Sequence, residues 1–460
     1  MRFSRVVLVS GFLLKLFFAG SPDFAQPQDS GVVVLKNVRL IDGTGKPALE
    51  NASIVVQNGR IAAIETDDRS KIPEHARVYD YSGKTVIPGI INAHGHLGLI
   101  SGAENSGTAY TPGNVVRELK QYEGYGVTAM LSLGGNRDLV FDLRREQQAG
   151  TLGGADIFTA GRGIGAPNGA PPLPLGPDQI YRPATEAEAR ADVRQMAAQK
   201  VDIIKVWVDD LHGKVPKMQP AIYRAVIDEA HKNHLRVAAH IYALADAKSL
   251  VNDGVDVLAH SVRDQLVDQE LIAAMKRRGT WYIPTFTVDE SFFIYAQHPA
   301  WMDTAFFKTA AGPAVDAMLT NPAYVAKVKA DPATAQHEKD FDVGQQNLKI
   351  LYDAGVHVGF GTDSGAMPTR IPGFAEHREL ELMVRAGLTP MQAIVCATGH
   401  NAELVHAEDR GTLAVGKRAD LVVLDGNPLD NIANVHRLVS IIHDGRVISP
   451  LATTSATTQR

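Results

Sequence analysis

Short apolar runs and longer amphipathic segments alternate along the middle of the chain. The longer segments, such as residues 184–200 and 220–234, repeat their apolar positions with the 3.6-residue period of a helix. The short runs are bounded by Gly, Pro or Asp, which is typical of strands. Eight runs alternating with helical segments predict an α/β fold, a (β/α)8 barrel of the TIM type over residues 88–409. The predicted strands are residues 87–96, 128–133, 156–160, 202–208, 236–242, 255–260, 281–287 and 356–362.

Segments near both ends of the chain alternate apolar and polar residues with a period of two. Turn pairs such as Asn58-Gly59 separate them in residues 31–87, and Asp444-Gly445 does so in residues 410–450. Alternation of this kind predicts antiparallel strands with one buried face. We therefore expect the two segments to form one small β-sandwich domain beside the barrel.

The connection between the last two predicted strands, residues 288–355, is longer than one helix and two short loops require. It carries a group of aromatic residues. An inserted helical lid is one interpretation, while a contact between subunits or simple packing of these side chains is the other. The aromatic residues are Phe292, Phe293, Tyr295, Trp301, Phe306 and Phe307.

The amino terminus has the order of a secretory signal peptide. Arg2 and Arg5 precede an apolar run over residues 6–18, which predicts a signal over residues 1–25 and a periplasmic or secreted protein. Lys15 and Asp23 depart from the usual pattern, and an uncleaved anchor or a disordered extension is the alternative. No later stretch has the length of a membrane span, so no membrane contact is expected after signal removal.

Composition narrows the chemistry that the chain can perform. It has 460 residues, with 46 Lys plus Arg against 51 Asp plus Glu and a formal net charge of −5, so nucleic-acid binding is not expected. Cys396 is the only cysteine, which excludes an intramolecular disulfide and a cysteine-rich zinc module. Cys396 is predicted to be a packing residue. A metal ion would need ligands from His, Asp, Glu or Lys.

Polar residues stand where several of the predicted strands end. His94 and His96 end the first strand and share a face, because side chains alternate across a strand. His240 and His260 lie near the ends of the fifth and sixth strands, and Asp363 follows the eighth. In a barrel the carboxyl ends of all strands converge on the face where active sites form. Four histidines and one aspartate are therefore expected to meet.

Lys205 lies within the apolar fourth strand. Burial lowers the pKa of a lysine and favours the neutral amine. A neutral amine can add carbon dioxide to form a carbamate, an anionic oxygen ligand that can bridge two cations. The alternative is an ion pair of Lys205 with Asp209 or Asp210.

Several of these motifs together resemble the amidohydrolase superfamily. They are residues 88–96 (PGIINAHGH), the strand-end His240 and His260, the Gly361-Thr362-Asp363 ending, and the tail motif over residues 411–421. Lys205 in IKVWVDD is similar to the binuclear imidazolonepropionase-like subgroup, which includes prolidase-like dipeptidases and ochratoxin-type amide hydrolases. True imidazolonepropionases lack a bridging lysine, so Lys205 argues against that activity.

The resemblance implies two divalent metal ions, zinc with manganese or cobalt as alternatives. It implies that Asp363 takes a proton from the attacking water and delivers it to the departing amine. It also implies a homo-oligomer. The implied ligands are His94, His96 and Asp363 for one ion, His240 and His260 for the other, and carboxylated Lys205 as the bridge.

Four residues are candidates for contact with a small-molecule substrate. Tyr242 shares a face with His240 and can donate a hydrogen bond, while Arg263 and Arg162 can bind a carboxylate. His212 follows the fourth strand and can line the pocket. For each of them, a structural contact or an exposed position is the alternative.

The resemblance implies hydrolysis of amide or peptide bonds in dipeptides or N-acyl amino acids, of the Xaa-Pro dipeptidase or ochratoxin A type. A cyclic amide, a carbamate or a lactone is an alternative substrate, because the same nucleophile serves all of them. A non-catalytic scaffold with this fold is an alternative of a different class, and it predicts missing ligands.

Overall fold

The computed structural model describes residues 31–66 and 73–452, so the predicted signal peptide lies outside the described residues. The strands of this part of the chain are β1 (Val32–Leu40), β2 (Leu49–Gln57), β3 (Arg60–Glu65), β4 (Arg77–Asp80), β5 (Thr85–Pro88), β6 (Ile90–Gly95), β7 (Ile100–Ser101), β8 (Glu104–Asn105), β9 (Val127–Ser132), β10 (Asp156–Thr159), β11 (Ile204–Trp207), β12 (Val237–His240), β13 (Val257–Ala259), β14 (Trp281–Ile283), β15 (His357–Val358), β16 (Leu421–Leu424), β17 (Leu438–His443) and β18 (Arg446–Ile448).

Helices follow most of the strands between β6 and β16. None of those in the described ranges combines the length and apolar character that crossing a membrane requires. The α-helices are α1 (Pro112–Gly124), α2 (Leu139–Gln148), α3 (Glu186–Ala198), α4 (Pro220–Lys232), α5 (Leu244–Asn252), α6 (Gln269–Arg278), α7 (Phe286–Glu290), α8 (Ala305–Leu319, kinked at Gly312), α9 (Pro322–Ala330), α10 (Thr334–Asp353), α11 (Phe374–Arg385), α12 (Pro390–Val395) and α13 (Asn401–Leu404).

The central strands form two parallel sheets. One has the order β10-β9-β6 and the other the order β11-β12-β13-β14-β15. Backbone hydrogen bonds join the two sheets at both edges. Thr362 N donates to His94 O over 3.0 Å beside β6, and Ile164 N donates to Lys205 O over 2.8 Å beside β11. The segments that carry the predicted ligands therefore lie next to one another.

Three of the predicted strands differ clearly from the structure. The strand predicted over residues 356–362 is reduced to the two residues of β15. The strand predicted over residues 87–96 is split at Gly89, where a side chain would lie 2.2 Å from Thr128 Oγ1 and the backbone N–H donates to Asp420 O. The strand predicted over residues 281–287 ends at Ile283, and helix α7 follows. The buried Glu379 carboxylate accepts the backbone N–H groups of Phe286 and Thr287 and so caps this helix.

Strands from both ends of the chain form one eight-stranded sheet. Its order is β18-β17-β16-β5-β1-β2-β3, and β4 pairs with β1. The first half of β1 pairs with β4, whereas Arg39 and Leu40 at its end pair with β5. The change of partner follows Asn37, which adopts a left-handed conformation with φ 60°.

A buried charged cluster links this sheet to the parallel strands. His443 Nδ1 on β17 lies 2.7 Å from Glu123 Oε1 on α1, and Arg410 Nη1 lies 2.5 Å from Asp156 Oδ2 on β10. Although burial lowers the pKa of His443, its contacts with Asp156 and Glu123 raise it to about 9. The charged form of His443 therefore stabilises the junction.

The segment between β14 and β15 contains helices α7 to α10. Its aromatic side chains pack mainly inside the protein, with Trp301 half-buried against Phe374 at a ring separation of 4.9 Å. Phe292 differs because 39% of it is exposed. Cys396 is buried, as predicted.

Candidate metal centre

The end of β6 directs two imidazole rings toward Asp363. His94 Nε2 lies 3.1 Å and His96 Nε2 lies 2.9 Å from the same oxygen, Asp363 Oδ1. His96 Nδ1 lies 3.1 Å from the carbonyl oxygen of Gly134, which can only accept a hydrogen bond. In neutral His96 the Nε2 lone pair therefore faces a carboxylate oxygen, an arrangement that a shared cation would stabilise.

His240 and His260 complete the group of rings. The ring of His260 lies 4.3 Å from that of His240 and 4.5 Å from that of His94. Asp209 Oδ2 lies 3.0 Å from His240 Nε2, and Thr285 Oγ1 lies 2.7 Å from His260 Nδ1. Burial lowers the pKa of His94, His240 and His260, so these rings favour the neutral form that metal ligands require.

Lys205 is fully buried beside these rings. Its Nζ lies 3.4 Å from His94 Nε2 and 5.5 Å from the ring centre of Trp207. Among the described residues no carboxylate forms an ion pair with Lys205, so the alternative of a pair with Asp209 or Asp210 is wrong. Asp209 instead contacts His240, and Asp210 lies 3.4 Å from Lys217 Nζ. Burial lowers the pKa of Lys205 to about 7.

These side chains fit a divalent cation. Ligand atoms of His94, His260 and Asp363 all lie within 4.8 Å of one another. His94 and Asp363 are both buried. Burial by itself raises the pKa of Asp363. The pKa nevertheless lies well below its usual value, because Arg370, His94 and His96 stabilise the negative charge of the carboxylate. Imidazole and carboxylate donors without thiolate suit zinc, manganese or cobalt.

The centre opens into a cavity of about 460 Å³. Four predicted ligands line it, together with the substrate-contact candidates Tyr242, Arg263 and His212. Arg162 does not line it. Its Nη2 lies 3.2 Å from Asp138 Oδ2 and its guanidinium covers the ring of Tyr181. The ligands that line the cavity are His96, His240, His260 and Asp363.

A larger groove of about 770 Å³ lies elsewhere, between α1 and the kinked α8, and contains none of these histidines. The chemistry of the side chains therefore identifies the smaller cavity as the candidate site.

The predicted substrate-contact residues have protein partners. Tyr242 donates its hydroxyl hydrogen to Asp340 Oδ1 over 3.0 Å, and the exposed His212 packs edge-on against the Tyr242 ring. Arg263 Nη1 donates to Asp289 Oδ1 over 2.9 Å, and its Nη2 donates to Ile241 O over 3.2 Å. The positive charge of Arg263 is thus balanced inside the protein.

The cavity wall also contains residues that the sequence pattern did not indicate. Arg370 contacts Asp363 Oδ2 and lies 5.5 Å from the ring centre of Phe292, which stacks on His337 at 4.1 Å. These residues lie in the long insertion or in the loop after β15, so no strand-end position marks them. The only available signal was that Arg370 follows Asp363 within the same loop.

One buried carboxylate fixes the two chain segments that bear His94, His96 and Asp363. Glu376 Oε1 accepts hydrogen bonds from Asn92 Nδ2 over 2.7 Å, Ser364 Oγ over 2.6 Å and Thr362 Oγ1 over 2.8 Å. Asn92 Oδ1 in turn accepts the backbone N–H of His94 over 2.9 Å. Glu376 is therefore a positioning residue for the centre.

Replacing Glu376 by glutamine should loosen this arrangement. Glu376 Oε2 accepts the backbone N–H of Gly373 over 2.7 Å, and an amide nitrogen in its place cannot accept. We expect a loss of about 1–3 kcal/mol in the free energy of unfolding and of about 10- to 100-fold in metal affinity or activity. Denaturant unfolding and titration of the metal ion measure the two effects.

Glu379→Gln is the matched control, because Glu379 is equally buried on α11 but caps α7 rather than the ligand segments. It should lose similar stability while retaining metal affinity. Equal loss of metal affinity in both variants would contradict the positioning role of Glu376.

Comparison with known proteins identifies the family of the chain. The sequence model of the Amidohydrolase family matches residues 85–448. The ochratoxinase of Aspergillus niger is 24% identical over 454 residues, covering 91% of this chain and 86% of that protein. The enamidase of Eubacterium barkeri is 23% identical, covering 87% of this chain and 88% of that protein. A solved structure described as a putative prolidase from Bifidobacterium longum has a TM-score of 0.73 and 26% identity, covering 93% of this chain and 97% of that one.

Proposed function

The chain belongs to the amidohydrolase family and is similar to its prolidase-like and ochratoxinase-like members, and we propose that it is a metal-dependent hydrolase that cleaves dipeptides or N-acyl amino acids. One observation carries the proposal. Four histidines, one aspartate and a buried lysine lie together, and the cavity opens onto four of these six side chains.

The donor set supports two divalent ions, zinc with manganese or cobalt as alternatives. When bound, such ions lower the pKa of a water molecule and polarise the carbonyl group of the substrate. Lys205, buried and without an ion-pair partner among the described residues, would carry a carbamate that bridges them. The ligands would be His94, His96 and Asp363 for one ion and His240 and His260 for the other.

The side chains of the chain itself would move the proton and hold the substrate. Asp363, whose carboxylate lies beside His94 and His96, would accept the proton of the attacking water and pass it to the departing nitrogen. Burial raises the pKa of Tyr242, so its hydroxyl stays protonated. In this structure the hydroxyl donates to Asp340, and it would donate to the substrate carbonyl oxygen after turning away from that carboxylate. Asp209 holds His240 in one orientation.

The finer architecture is part of the proposal. The hydrogen bonds at both sheet edges support one closed (β/α)8 barrel over residues 88–409. The partner change along β1 supports a sandwich built from residues 31–87 and 410–450. Phe292 and His337 support a lid role for residues 288–355, because they line the cavity.

We also propose that residues 1–25 direct the protein to the periplasm or outside the cell and that the mature protein is a homo-oligomer. A fusion of residues 1–25 to a reporter enzyme and light scattering of the purified protein test these two points.

Metal removal is the direct test of the proposed function. The purified protein should contain about two divalent ions per chain, and a chelator should abolish hydrolysis until zinc is restored. The assay uses a panel of dipeptides and N-acyl amino acids. Absence of bound metal together with absence of metal-dependent hydrolysis would contradict the proposal.

Cyclic amides, carbamates and lactones belong in the same panel as alternative substrates. The similarity to an enamidase makes the cyclic amides informative. A non-catalytic scaffold predicts missing ligands, whereas all six are present in the chain.

A further inference from the structure

Arg370 presents an unused hydrogen-bonding edge at the cavity. Its Nη1 contacts Asp363 Oδ2, while its Nε is buried and has no hydrogen-bond partner. The guanidinium group lies 5.5 Å from the ring centre of Phe292, which restricts its orientation. Among the described residues neither Nε nor Nη2 has a hydrogen-bond partner, and the edge that they form can bind a carboxylate with two parallel hydrogen bonds.

The other cationic side chains at this cavity are less suited to an anion. Arg263 Nε also lacks a hydrogen-bond partner, but its Nη2 donates to Ile241 O and its Nη1 to Asp289, so the edge formed by Nε and Nη2 is already half used. Lys214 lies at the cavity but is exposed to solvent, where an ion pair contributes little.

We propose that Arg370 binds the substrate carboxylate and that this carboxylate is attached to the carbon atom next to the scissile nitrogen. The inference rests on the proposed hydrolysis of dipeptides or N-acyl amino acids and adds the residue that binds their carboxylate. Arg370 thus takes the place of Arg263 and Arg162 as the candidate residue for binding the carboxylate. It contacts Asp363, the proposed proton acceptor.

The position of Arg370 limits the distance between the carboxylate and the scissile nitrogen of the substrate. Because Arg370 contacts Asp363 directly, an anion bound to the edge formed by Nε and Nη2 lies close to the scissile nitrogen, to which Asp363 would deliver its proton. An α-amino acid amide has its carboxylate and its scissile nitrogen on the same carbon atom, which suits this short separation. Each additional methylene group between them moves the carbonyl group away from Asp363.

The test compares N-benzoylglycine with its amide, N-benzoylglycinamide, which differ only in the carboxylate. Calorimetric titration of the metal-loaded protein measures binding of both, and the hydrolysis assay measures KM and kcat. Arg370→Gln should weaken binding of N-benzoylglycine and raise its KM by about 10- to 100-fold. It should weaken binding of the amide much less than binding of the acid, because the contact of Arg370 with Asp363 is lost for both compounds. N-benzoyl-β-alanine should bind more weakly than N-benzoylglycine to the wild-type protein.

Four results would overturn the proposal. Equal losses for the acid and the amide would show that Arg370 acts through Asp363 instead. Unchanged binding of the acid in Arg370→Gln, or loss of its binding in Lys214→Gln alone, would locate the anion elsewhere. Equal binding of the acid and the amide to the wild-type protein would remove the carboxylate requirement. If the acid binds through Arg370 but no amide is cleaved, the proposed function fails while this anion site stands.

Discussion

Replacing Asp363 by asparagine is expected to lower kcat by about 10²- to 10⁴-fold, the usual contribution of a positioned acid–base group. The asparagine side chain has nearly the same shape, but it cannot accept and return a proton. It also loses the negative charge that faces His94, His96 and Arg370. Steady-state kinetics on the best substrate of the panel, with the metal content of each sample determined, measures the effect.

Asp340→Asn is the matched control. Asp340 is a second buried carboxylate at the same cavity, and its oxygen accepts hydrogen bonds from Tyr242 and Gln336 that an amide oxygen can also accept. Its kcat should fall by less than about tenfold. A kcat per bound ion that is unchanged in Asp363→Asn would exclude Asp363 as the proton acceptor.

The centre itself was predictable because it follows from a rule of topology. Parallel strands bring their carboxyl ends to one face, so His94, His240 and Asp363 could be grouped although they are far apart in the sequence. Lys205 was identifiable because a lysine in an apolar strand is costly without a chemical reason. The structure brings these four side chains together.

The cavity wall was not predictable in the same way. Phe292 and His337 come from the insertion, and Arg370 from a loop, so their positions depend on tertiary packing rather than on a period in the sequence. Likewise, the end of β14 depends on Glu379, whose carboxylate caps α7 from a distant helix. A local pattern contains no information about such a partner.

Local steric contacts explain the remaining error in the strands. The apolar run over residues 87–96 reads as one strand, but Gly89 lies so close to Thr128 that no side chain fits, and the chain passes there from one sheet to the other. The same run therefore supplies β5 to the eight-stranded sheet and β6 to the parallel one. The period of the apolar residues does not show which of the two sheets each half of the run joins.

Replacing Lys205 by alanine is expected to remove most of the hydrolytic activity, by about 10²- to 10³-fold or more, an effect of the size seen when one charge-stabilising group is lost. The fully buried amine would supply the carbamate oxygen atoms, and no other described side chain forms an ion pair with it. Kinetics and metal content, measured with and without added bicarbonate, test the substitution.

Short carboxylic acids separate a missing anion from a damaged fold. Lys205→Ala leaves space in which propionate can supply two oxygen atoms, so part of the activity should return as propionate is added. Lys205→Met fills the same space with an apolar chain and should lose equal activity without recovery, while its folding stability stays close to that of the wild type. Because the two variants lack the same amine and differ in the space they leave, recovery in the alanine variant alone would identify the lost group as an anion at this position. Unchanged turnover in either variant, or equal recovery in both, would remove the carbamate from the mechanism.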